Sequence, residues 1–224
     1  MYSEIKILAV SKSNFSFIAN LFISETKVND GWTITLSDFS KGMLISTKDK
    51  LDPIGSNFLY EEINAQDILY EDESFEVVIA RHMLYFVPEI EKAISEIKRV
   101  LVKGGLFYAT TNSCESMAEL NEIVKNFDCD MELHHNGMCY RFDLECGQPL
   151  LKEYFSEVNV DILEGKIIVD NAEYVVSYKA STIKGSSILV GEKKQEFTKY
   201  VEDYIKENGN ISITTKACIF KAKK

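Results

Sequence analysis

The pattern that decides the fold class lies in residues 63–94, which read INAQDILYEDESFEVVIARHMLYFVPEIEKAI. Within it, residues 75–80 (FEVVIA) form a continuous apolar run, which is typical of a strand buried on both faces of a parallel sheet. Pro88 then precedes a predicted helix, and Gly104-Gly105 is expected to end it and to form a turn before the next strand. The apolar residues of this helix recur every three or four positions: Ile90, Ile94, Ile97 and Leu101. The stretch therefore predicts a buried strand followed by an amphipathic helix.

The same alternation of strand and helix continues on both sides of this stretch. Short apolar or β-branched runs predict further strands at residues 5–10, 33–36, 58–63, 106–111, 158–162 and 211–220. Helices are predicted after Ser40, over about 115–127 and over 191–208. Strands that alternate with helices indicate a parallel sheet covered by helices on both faces. The predicted fold class is therefore α/β with a doubly wound, mostly parallel sheet, in a single domain over residues 1–224.

Composition excludes several functional classes. The 224 residues carry a formal net charge of −10, which argues against a nucleic-acid binder because no cationic stripe is available to neutralise phosphates. No apolar run approaches the roughly 18–20 residues that span a bilayer, and the run at 15–23 has neither a basic segment before it nor a cleavage site after it. A protein with no membrane partner is expected. The preference for Lys over Arg, with plentiful Ile and Asn, is typical of an AT-rich bacterial genome.

The cysteines predict reduced thiols and a cytoplasmic location. Their number, five, is odd, and no C-x-x-C is present, so a disulfide framework is not expected. Several potential zinc ligands fall between residues 129 and 146: Cys129, His134, His135, Cys139 and Cys146. Their spacing lacks the close cysteine pair of a zinc knuckle, so no metal is predicted, although a structural zinc and a nucleophilic Cys–His pair stay open as alternatives.

Four sequence pieces, taken in order, resemble one family. They are ITLSDFSKGML (34–44), the stretch 63–94 quoted above, EIKRVLVKGG (96–105) and LFYATTNS (106–113). In this order and spacing, the region from Ile34 to Asn112 resembles the class I S-adenosylmethionine-dependent methyltransferases, in particular the small-molecule group called methyltransferase type 11. The resemblance implies a Rossmann-like sheet of seven strands with an antiparallel last strand, and a helical insertion at 113–155 after the fifth strand that shapes the substrate pocket.

The resemblance also implies a cofactor and a reaction. The cofactor is S-adenosylmethionine, and the reaction is transfer of its methyl group to an O or N atom of a small molecule. Asp38 would accept hydrogen bonds from both ribose hydroxyls, because a carboxylate is an acceptor-only group that can serve two donors; the alternative is that Asp38 caps the following helix. Phe39 and Met43 would border the adenine and the ribose, or else pack in the core.

Further site residues follow the third and fourth predicted strands. By the resemblance, Asn64 stands where the family usually has an aspartate that meets the adenine amino group, Ala65 offers its backbone nitrogen to the ring, and Gln66 lies beside it. Arg81 and His82 follow the fourth strand, where the carboxyl ends of strands line the ligand crevice of an open α/β sheet. His82 has two open interpretations, a general base with an ordinary pKa near 6.5 and a structural residue that orients the crevice loop.

The sequence departs from the family at the glycine-rich loop after the first strand. The resemblance assigns Val10, Ser11 and Ser13 to cofactor binding there, but Ser11, Ser13 and Phe15 occupy the three glycine positions and Ala9 replaces the acidic residue. A residue with a Cβ costs about 1–2 kcal/mol in left-handed geometry, whereas glycine lets the backbone approach a ligand closely. Reduced affinity for S-adenosylmethionine is therefore expected.

A second departure concerns the beginning of the chain. Only Met1 to Glu4 precede the first predicted strand, where the family usually has a helical segment that covers the cofactor. Two hypotheses fit both departures. In the first, the protein is a degenerate or truncated methyltransferase homologue that binds the cofactor weakly or not at all. In the second, it still binds, and the missing cover comes from another copy or a partner subunit. The alternative to a methyltransferase is a non-catalytic methyltransferase-like partner or binding protein.

Overall fold

The structure is a computed structural model that describes residues 5–11, 32–54, 58–131 and 141–224. Its strands are β1 (Ile5–Ser11), β2 (Trp32–Asp38), β3 (Phe58–Glu62), β4 (Phe75–Arg81), β5 (Leu101–Asn112), β6 (Glu157–Val169) and β7 (Ile211–Lys223). Within the described residues these strands form one seven-stranded sheet in the order β3-β2-β1-β4-β5-β7-β6. Each strand that the sequence pattern predicts is present, and most are longer than predicted.

Strand direction agrees with the predicted fold class. The neighbouring pairs among β1 to β5 are all parallel. Hydrogen bonds between β5 and β7 run the other way, since the Gly104 nitrogen donates to the Lys224 carbonyl at 3.0 Å and the Ser113 nitrogen donates to the Lys216 carbonyl at 2.9 Å. As residue numbers rise along β5 they fall along β7, so the last strand is antiparallel. The α/β, mostly parallel and Rossmann-like fold class is confirmed.

The helices complete the α/β alternation. They are α1 (Lys41–Leu51), α2 (Ile90–Val100), α3 (Ala118–Phe127), α4 (Leu144–Lys152), α5 (Ala172–Ala180), α6 (Ile183–Ile188) and α7 (Gly191–Asn208). Helices α3 and α4 follow β5 in the chain, which confirms the predicted helical insertion. Helix α7 has the predicted bounds, whereas no sequence pattern predicted α5 and α6. Among the described residues, none of the helices combines the length and the apolar character that crossing a bilayer requires.

The structure corrects the role predicted for Gly104 and Gly105. Helix α2 ends at Val100, before the glycines, and both glycines lie inside β5. There the pairing with β4 is irregular, because Phe75 pairs with Leu101 but Val77 pairs with Leu106. Gly104 has a positive φ of 78°, and a Cβ on Gly105 would lie 2.9 Å from the Val102 carbonyl oxygen. The glycines therefore permit an irregular, tightly packed turn of the strand rather than a helix end.

The described residues belong to two compact units. Unit 1 draws on residues 1–112, 140–161 and 218–224, and unit 2 draws on residues 113–139 and 162–217. Strands β6 and β7 contribute residues to both units. The single domain over 1–224, with 113–155 on the substrate side, stays a prediction.

Each unit has its own apolar core. In unit 1, fully buried residues of the central strands meet the apolar face of α2: Leu8, Val78, Phe107, Ile94 and Ile97. In unit 2, helices α3, α5 and α7 bury a second set: Val124, Met131, Val176, Phe197 and Val201. Since the strands of unit 1 are buried by neighbours on both faces, their ends are held in place, and it is at these ends that the predicted site residues lie.

Candidate functional site

Strand register brings several predicted site residues to one edge of the sheet. Ser11 at the end of β1 pairs with Asp38 of β2 on one side and with Arg81 of β4 on the other. Asp38 in turn pairs with Glu62 of β3. The strand order reverses between β1 and β4, and in open α/β sheets ligands bind at the carboxyl ends of strands at such a reversal. The sheet therefore places polar residues in a row where a ligand crevice is expected.

A cavity of about 300 Å³ lies next to this row in unit 1. Its described walls are mainly apolar: Val10, Phe39, Ile63, Ala65, Met83, Phe86, Val87 and Pro88. Two amide side chains, those of Asn64 and Gln66, supply its polar groups. Apolar walls with a few polar groups are typical of sites for flat organic ligands, because the walls bind the faces and the polar groups fix the orientation.

The Asp38 carboxylate is fully buried at the start of the segment that leads into α1. Its Oδ1 accepts a hydrogen bond from the Ser40 backbone nitrogen at 2.8 Å. Ser40 is the N-cap residue of α1 and makes no side-chain capping bond, so Asp38 supports the entry to this helix. A carboxylate has about four acceptor positions, which leaves the predicted ribose role chemically compatible with the observed bond.

Phe39 and Met43 differ in their relation to the cavity. Phe39 lines it and exposes 69% of its surface, so core packing does not account for this residue. Met43 is half-buried in the first turn of α1, and its carbonyl accepts a hydrogen bond from the Thr47 hydroxyl at 2.7 Å. Met43 is not among the described residues that line the cavity. The predicted contact of Met43 with a ligand stays a prediction without support from this geometry.

The segment from Asn64 to Asp67 is a tight turn on the cavity wall. The Asn64 side-chain oxygen accepts a hydrogen bond from the Gln66 nitrogen at 3.0 Å, and its carbonyl accepts one from the Asp67 nitrogen at 2.9 Å. The Gln66 side-chain oxygen accepts a bond from the Glu89 nitrogen at 2.8 Å. These bonds hold the turn from both sides. Among the described residues, no group accepts a hydrogen bond from the Ala65 nitrogen, which is consistent with the donor role predicted for it.

Arg99 holds the segment that follows this turn, and sequence reasoning missed it. Its guanidinium donates to the carbonyls of Ile68 at 2.7 Å and Tyr70 at 2.8 Å, and to the Asp72 carboxylate at 2.9 Å. Glu96 accepts two further bonds from Arg99, each at 2.8 Å. The hydrogen bonds with Arg99 lower the pKa of the Glu96 carboxyl. The one signal available in the sequence was the rarity of arginine, since Arg99 is one of three arginines in the chain.

His82 has an unusual backbone and a depressed pKa. Its φ is +45°, in the left-handed region that a residue with a Cβ seldom occupies. Its backbone nitrogen donates to the Thr110 carbonyl at 3.1 Å and to the Thr110 hydroxyl at 3.2 Å, which ties it to β5. Burial and the charge of Arg81 lower the pKa of the imidazole below 6.5. The ring is therefore neutral at pH 7, a state that suits a proton acceptor and a structural residue equally.

Several predicted residues fall outside the described part of the chain: Ser13, Phe15, His134, His135 and Cys139. Ser11 is described through its backbone in β1. Of the remaining zinc candidates, Cys129 is exposed, whereas burial and the hydrogen bond with Asp143 raise the pKa of the Cys146 thiol to about 11. A thiol with so high a pKa is a poor nucleophile at neutral pH. The prediction of no metal stays a prediction.

Sequence comparison bears on the same region of the chain. Residues 20–109 match the family described as a methyltransferase domain. A phosphatidylethanolamine N-methyltransferase of Cereibacter sphaeroides is 35% identical over 74 residues, which cover 32% of this chain and 36% of that protein. A ubiquinone/menaquinone biosynthesis C-methyltransferase of Brucella canis is 34% identical over 92 residues, which cover 40% of this chain and 34% of that protein. The chain thus spans about a third of the length of these curated relatives.

Comparison with solved structures bears on the fold. A Bacillus halodurans protein provisionally assigned as a methyltransferase superposes with a TM-score of 0.66 at 20% identity and covers 100% of this chain and 94% of that one. Phosphoethanolamine N-methyltransferase 2 of Haemonchus contortus, in complex with phosphomonomethylethanolamine and S-adenosylhomocysteine, gives 0.57 at 16% identity and covers 100% and 49%. The family match over residues 20–109 and the shared fold support the resemblance of this chain to class I methyltransferases.

Proposed function

We propose that this chain binds S-adenosylmethionine in the cavity beside the strand ends and transfers its methyl group to an O or N atom of a small molecule. One observation carries the proposal: the cavity at the strand ends is lined by the Asn64–Gln66 turn and by Phe39, which directly follows the buried Asp38 at the end of β2. Two separate parts of the sequence that carry predicted contacts, Phe39 and the Asn64–Gln66 turn, line the same cavity, which supports the proposal. The match of residues 20–109 to the methyltransferase domain supports the same conclusion.

The chemistry of these residues fits the cofactor. The apolar walls suit the faces of adenine, and the two amides suit its polar edge. A carboxylate such as Asp38 suits a pair of ribose hydroxyls. When bound, S-adenosylmethionine would supply a methyl group from its positively charged sulfur. A lone pair of the acceptor atom would bond to the methyl carbon as the carbon–sulfur bond breaks and the neutral thioether leaves. The side chains of this site thus have a binding role for each part of the nucleoside.

The contribution of the protein to the reaction is mainly orientation. Holding two reactants in line removes much of the entropic cost of a bimolecular step. His82 is neutral at pH 7 and half-buried near Arg81, so it can take the proton that an acceptor hydroxyl or ammonium loses. We also propose that residues 113–155 shape the substrate pocket. The same proposal includes a cytoplasmic location.

The choice of an O or N acceptor rests on His82, because the relatives differ in the atom that they methylate. The relative from Cereibacter sphaeroides is a phosphatidylethanolamine N-methyltransferase, whereas the relative from Brucella canis is a ubiquinone/menaquinone biosynthesis C-methyltransferase. In the role of general base that we propose for it, His82 favours an acceptor that must lose a proton, as a hydroxyl or an ammonium does. Product analysis after incubation with labelled cofactor and small amines, alcohols or quinols would separate these acceptors.

Calorimetric titration with S-adenosylhomocysteine tests the binding site. The Asp38→Asn variant keeps the size of the side chain and an oxygen for the Ser40 bond but loses the charged acceptor. A hydrogen bond to a charged group contributes roughly 1.5–3 kcal/mol, so affinity should fall about tenfold or more. Asp49→Asn, at an exposed position of α1, is the matched control and should bind as the original chain does. Equal affinity of both variants would reject the site.

A second candidate is a non-catalytic methyltransferase-like partner protein. The observation that favours it is the replacement of the three loop glycines by Ser11, Ser13 and Phe15. Under this hypothesis the chain binds the cofactor weakly or not at all, and the combined change S11G/S13G/F15G creates or strengthens binding. If the original chain already methylates a substrate, this candidate is wrong. If the original chain binds the cofactor with micromolar affinity, the expected loss of affinity is wrong.

A further inference from the structure

Strand β6, which lies at one edge of the sheet, exposes an apolar segment in unit 2. In the described residues β6 is the outermost strand, next to β7, so its outer backbone edge has no strand beside it. Every residue from 161 to 168 is exposed. The apolar residues among them expose about half of their surface: Ile162 49%, Leu163 58%, Ile167 47% and Ile168 59%. Long apolar edge strands are templates for pairing with another chain.

The sequence of this segment is complementary to itself when reversed. Residues 162–168 read ILEGKII, which is two apolar residues, an acid, a glycine, a base and two apolar residues. In an antiparallel pair of two copies centred on Gly165, Glu164 of one copy lies opposite Lys166 of the other. Leu163 then lies opposite Ile167, and Ile162 lies opposite Ile168. Opposite charges and paired apolar residues are the combinations that stabilise neighbouring strands.

Contacts within unit 2 show which residues share a face of β6. Glu164 lies 3.6 Å from the Lys216 ammonium, and residues two positions apart in a strand point to the same face. Glu164 and Lys166 therefore lie on the same face. A Cβ on Gly165 would approach the Thr215 hydroxyl, on the opposite face. Alternation is regular through the segment, as direct pairing of two strands requires.

A two-fold axis perpendicular to the sheet keeps each face on its own side. Under such an axis, opposed residues must lie on the same face of the sheet. One strand can therefore be displaced along the other only by two residues at a time, and each such displacement moves the centre of the pair by one residue. Moving the centre from Gly165 to Glu164 sets Lys166 opposite Ile162, and moving it to Lys166 sets Glu164 opposite Ile168. Both shifts place a charge opposite an isoleucine. The register centred on Gly165 is the one in which charge and apolar character both match.

We infer that β6 pairs with β6 of a second copy in antiparallel orientation, with Gly165 on the two-fold axis, so that the sheet continues through the dimer. Backbone hydrogen bonds along the shared edge supply affinity, and the side-chain pairs supply register. A single lysine on an edge strand usually protects it from pairing. Here Glu164, which is 65% exposed, offers that lysine a partner across the axis. The inference does not rest on the proposed function.

Charge reversal with mixing tests the dimer. The variants Glu164→Lys and Lys166→Glu each set like charges opposite each other at both ends of the pair. Each variant alone should dimerise at least about tenfold more weakly than the original chain in sedimentation equilibrium. In an equimolar mixture of the two, every charged pair is again complementary, and the heterodimer should form. Damage to the fold cannot be repaired by mixing, so recovery separates the interface from a structural defect.

Three results would overturn the inference: a monomeric original chain at the highest soluble concentration, a dimer that neither variant weakens, or variants that stay monomeric when mixed. Cross-linking tests the register independently, in a chain whose exposed Cys129 is replaced by serine. Residues directly opposed across an antiparallel pair have Cα atoms about 4.5–5.5 Å apart, which a disulfide spans. Gly165→Cys should therefore cross-link on oxidation. Leu163→Cys, displaced from its own copy by about 13 Å along the strand, should not.

Discussion

Strands β1 and β6 are both rich in apolar residues, yet they have opposite environments. In β1, the residues from Ile7 to Val10 are all buried, because β2 and β4 flank the strand and helices cover the sheet. In β6, Ile162 and Leu163 are exposed, as are the isoleucines beyond Gly165. Position in the sheet, rather than hydrophobicity, decides the burial of each strand. The buried strand can hold residues at its end in fixed positions, whereas the exposed strand offers its own edge for binding.

The largest expected effect separates these two strands directly. Leu8→Ala removes a fully buried side chain of β1 and should lower the free energy of unfolding by about 2–5 kcal/mol. Ile167→Ala in β6 removes a half-exposed side chain and should cost the monomer less than about 1 kcal/mol. Urea unfolding at low protein concentration measures both without a contribution from the dimer. Similar losses for the two variants would contradict the comparison.

A smaller effect tests whether Arg99 of α2, through the segment 68–72, also positions the cavity wall. Arg99→Met keeps the apolar stem but loses every hydrogen bond to the segment 68–72 and to Glu96. A hydrogen bond to a charged group contributes roughly 1.5–3 kcal/mol, and water replaces part of what the variant loses. We therefore expect the free energy of unfolding, measured with urea, to fall by about 1–3 kcal/mol. Binding of S-adenosylhomocysteine should weaken as well. Lys98→Met, the neighbouring position on α2, is the control and should leave both measurements unchanged.

The next effect belongs to the edge region and depends on pH. Glu119 accepts hydrogen bonds from the Thr214 nitrogen at 3.0 Å and from the Thr214 hydroxyl, and these bonds lower its pKa. A carboxyl with a lowered pKa stabilises the fold above its unfolded value of 4.5, and this stabilisation is lost as the pH falls through the lowered pKa. The free energy of unfolding of Glu119→Gln should therefore be about 1 kcal/mol lower at pH 7, and it should fall less on acidification than that of the original chain. Thermal unfolding between pH 7 and pH 3 measures both, and a parallel pH dependence for the two chains would reject the assignment.

The smallest effect concerns a single proton at the strand ends. NMR titration of His82 should give a pKa below 6.5, because burial and the positive charge of Arg81 both disfavour the imidazolium. Arg81→Gln removes the second cause, so the pKa should rise while burial keeps it below 6.5. The depressed pKa also means that His82 stabilises the fold above pH 6.5 and ceases to do so as the pH falls through the lowered value. A pKa of His82 at or above 6.5 in the original chain would contradict the combined effect of partial burial and Arg81.

The central part of the fold was predictable because its signals are local. The run at 75–80 becomes β4, and the spacing of Ile90, Ile94 and Ile97 becomes the buried face of α2. Asp38 and the Asn64–Gln66 turn were predicted from a motif in which the order of residues is enough. The helices α5 and α6 were not predicted, because their apolar residues have no clear period and the helices depend on packing in unit 2.

Local amino-acid patterns thus specify the strands, most helices and the residues at the strand ends, since each depends on neighbours a few positions away. The tertiary structure alone decides that Ser11, Asp38 and Arg81 share one row, that Arg99 holds a segment about thirty residues before it, and that β6 lies at the edge. These features depend on which strands pair and in what order. An apolar run such as residues 162–168 carries the same local pattern whether it is buried or exposed, so only its place in the sheet determines what it can bind.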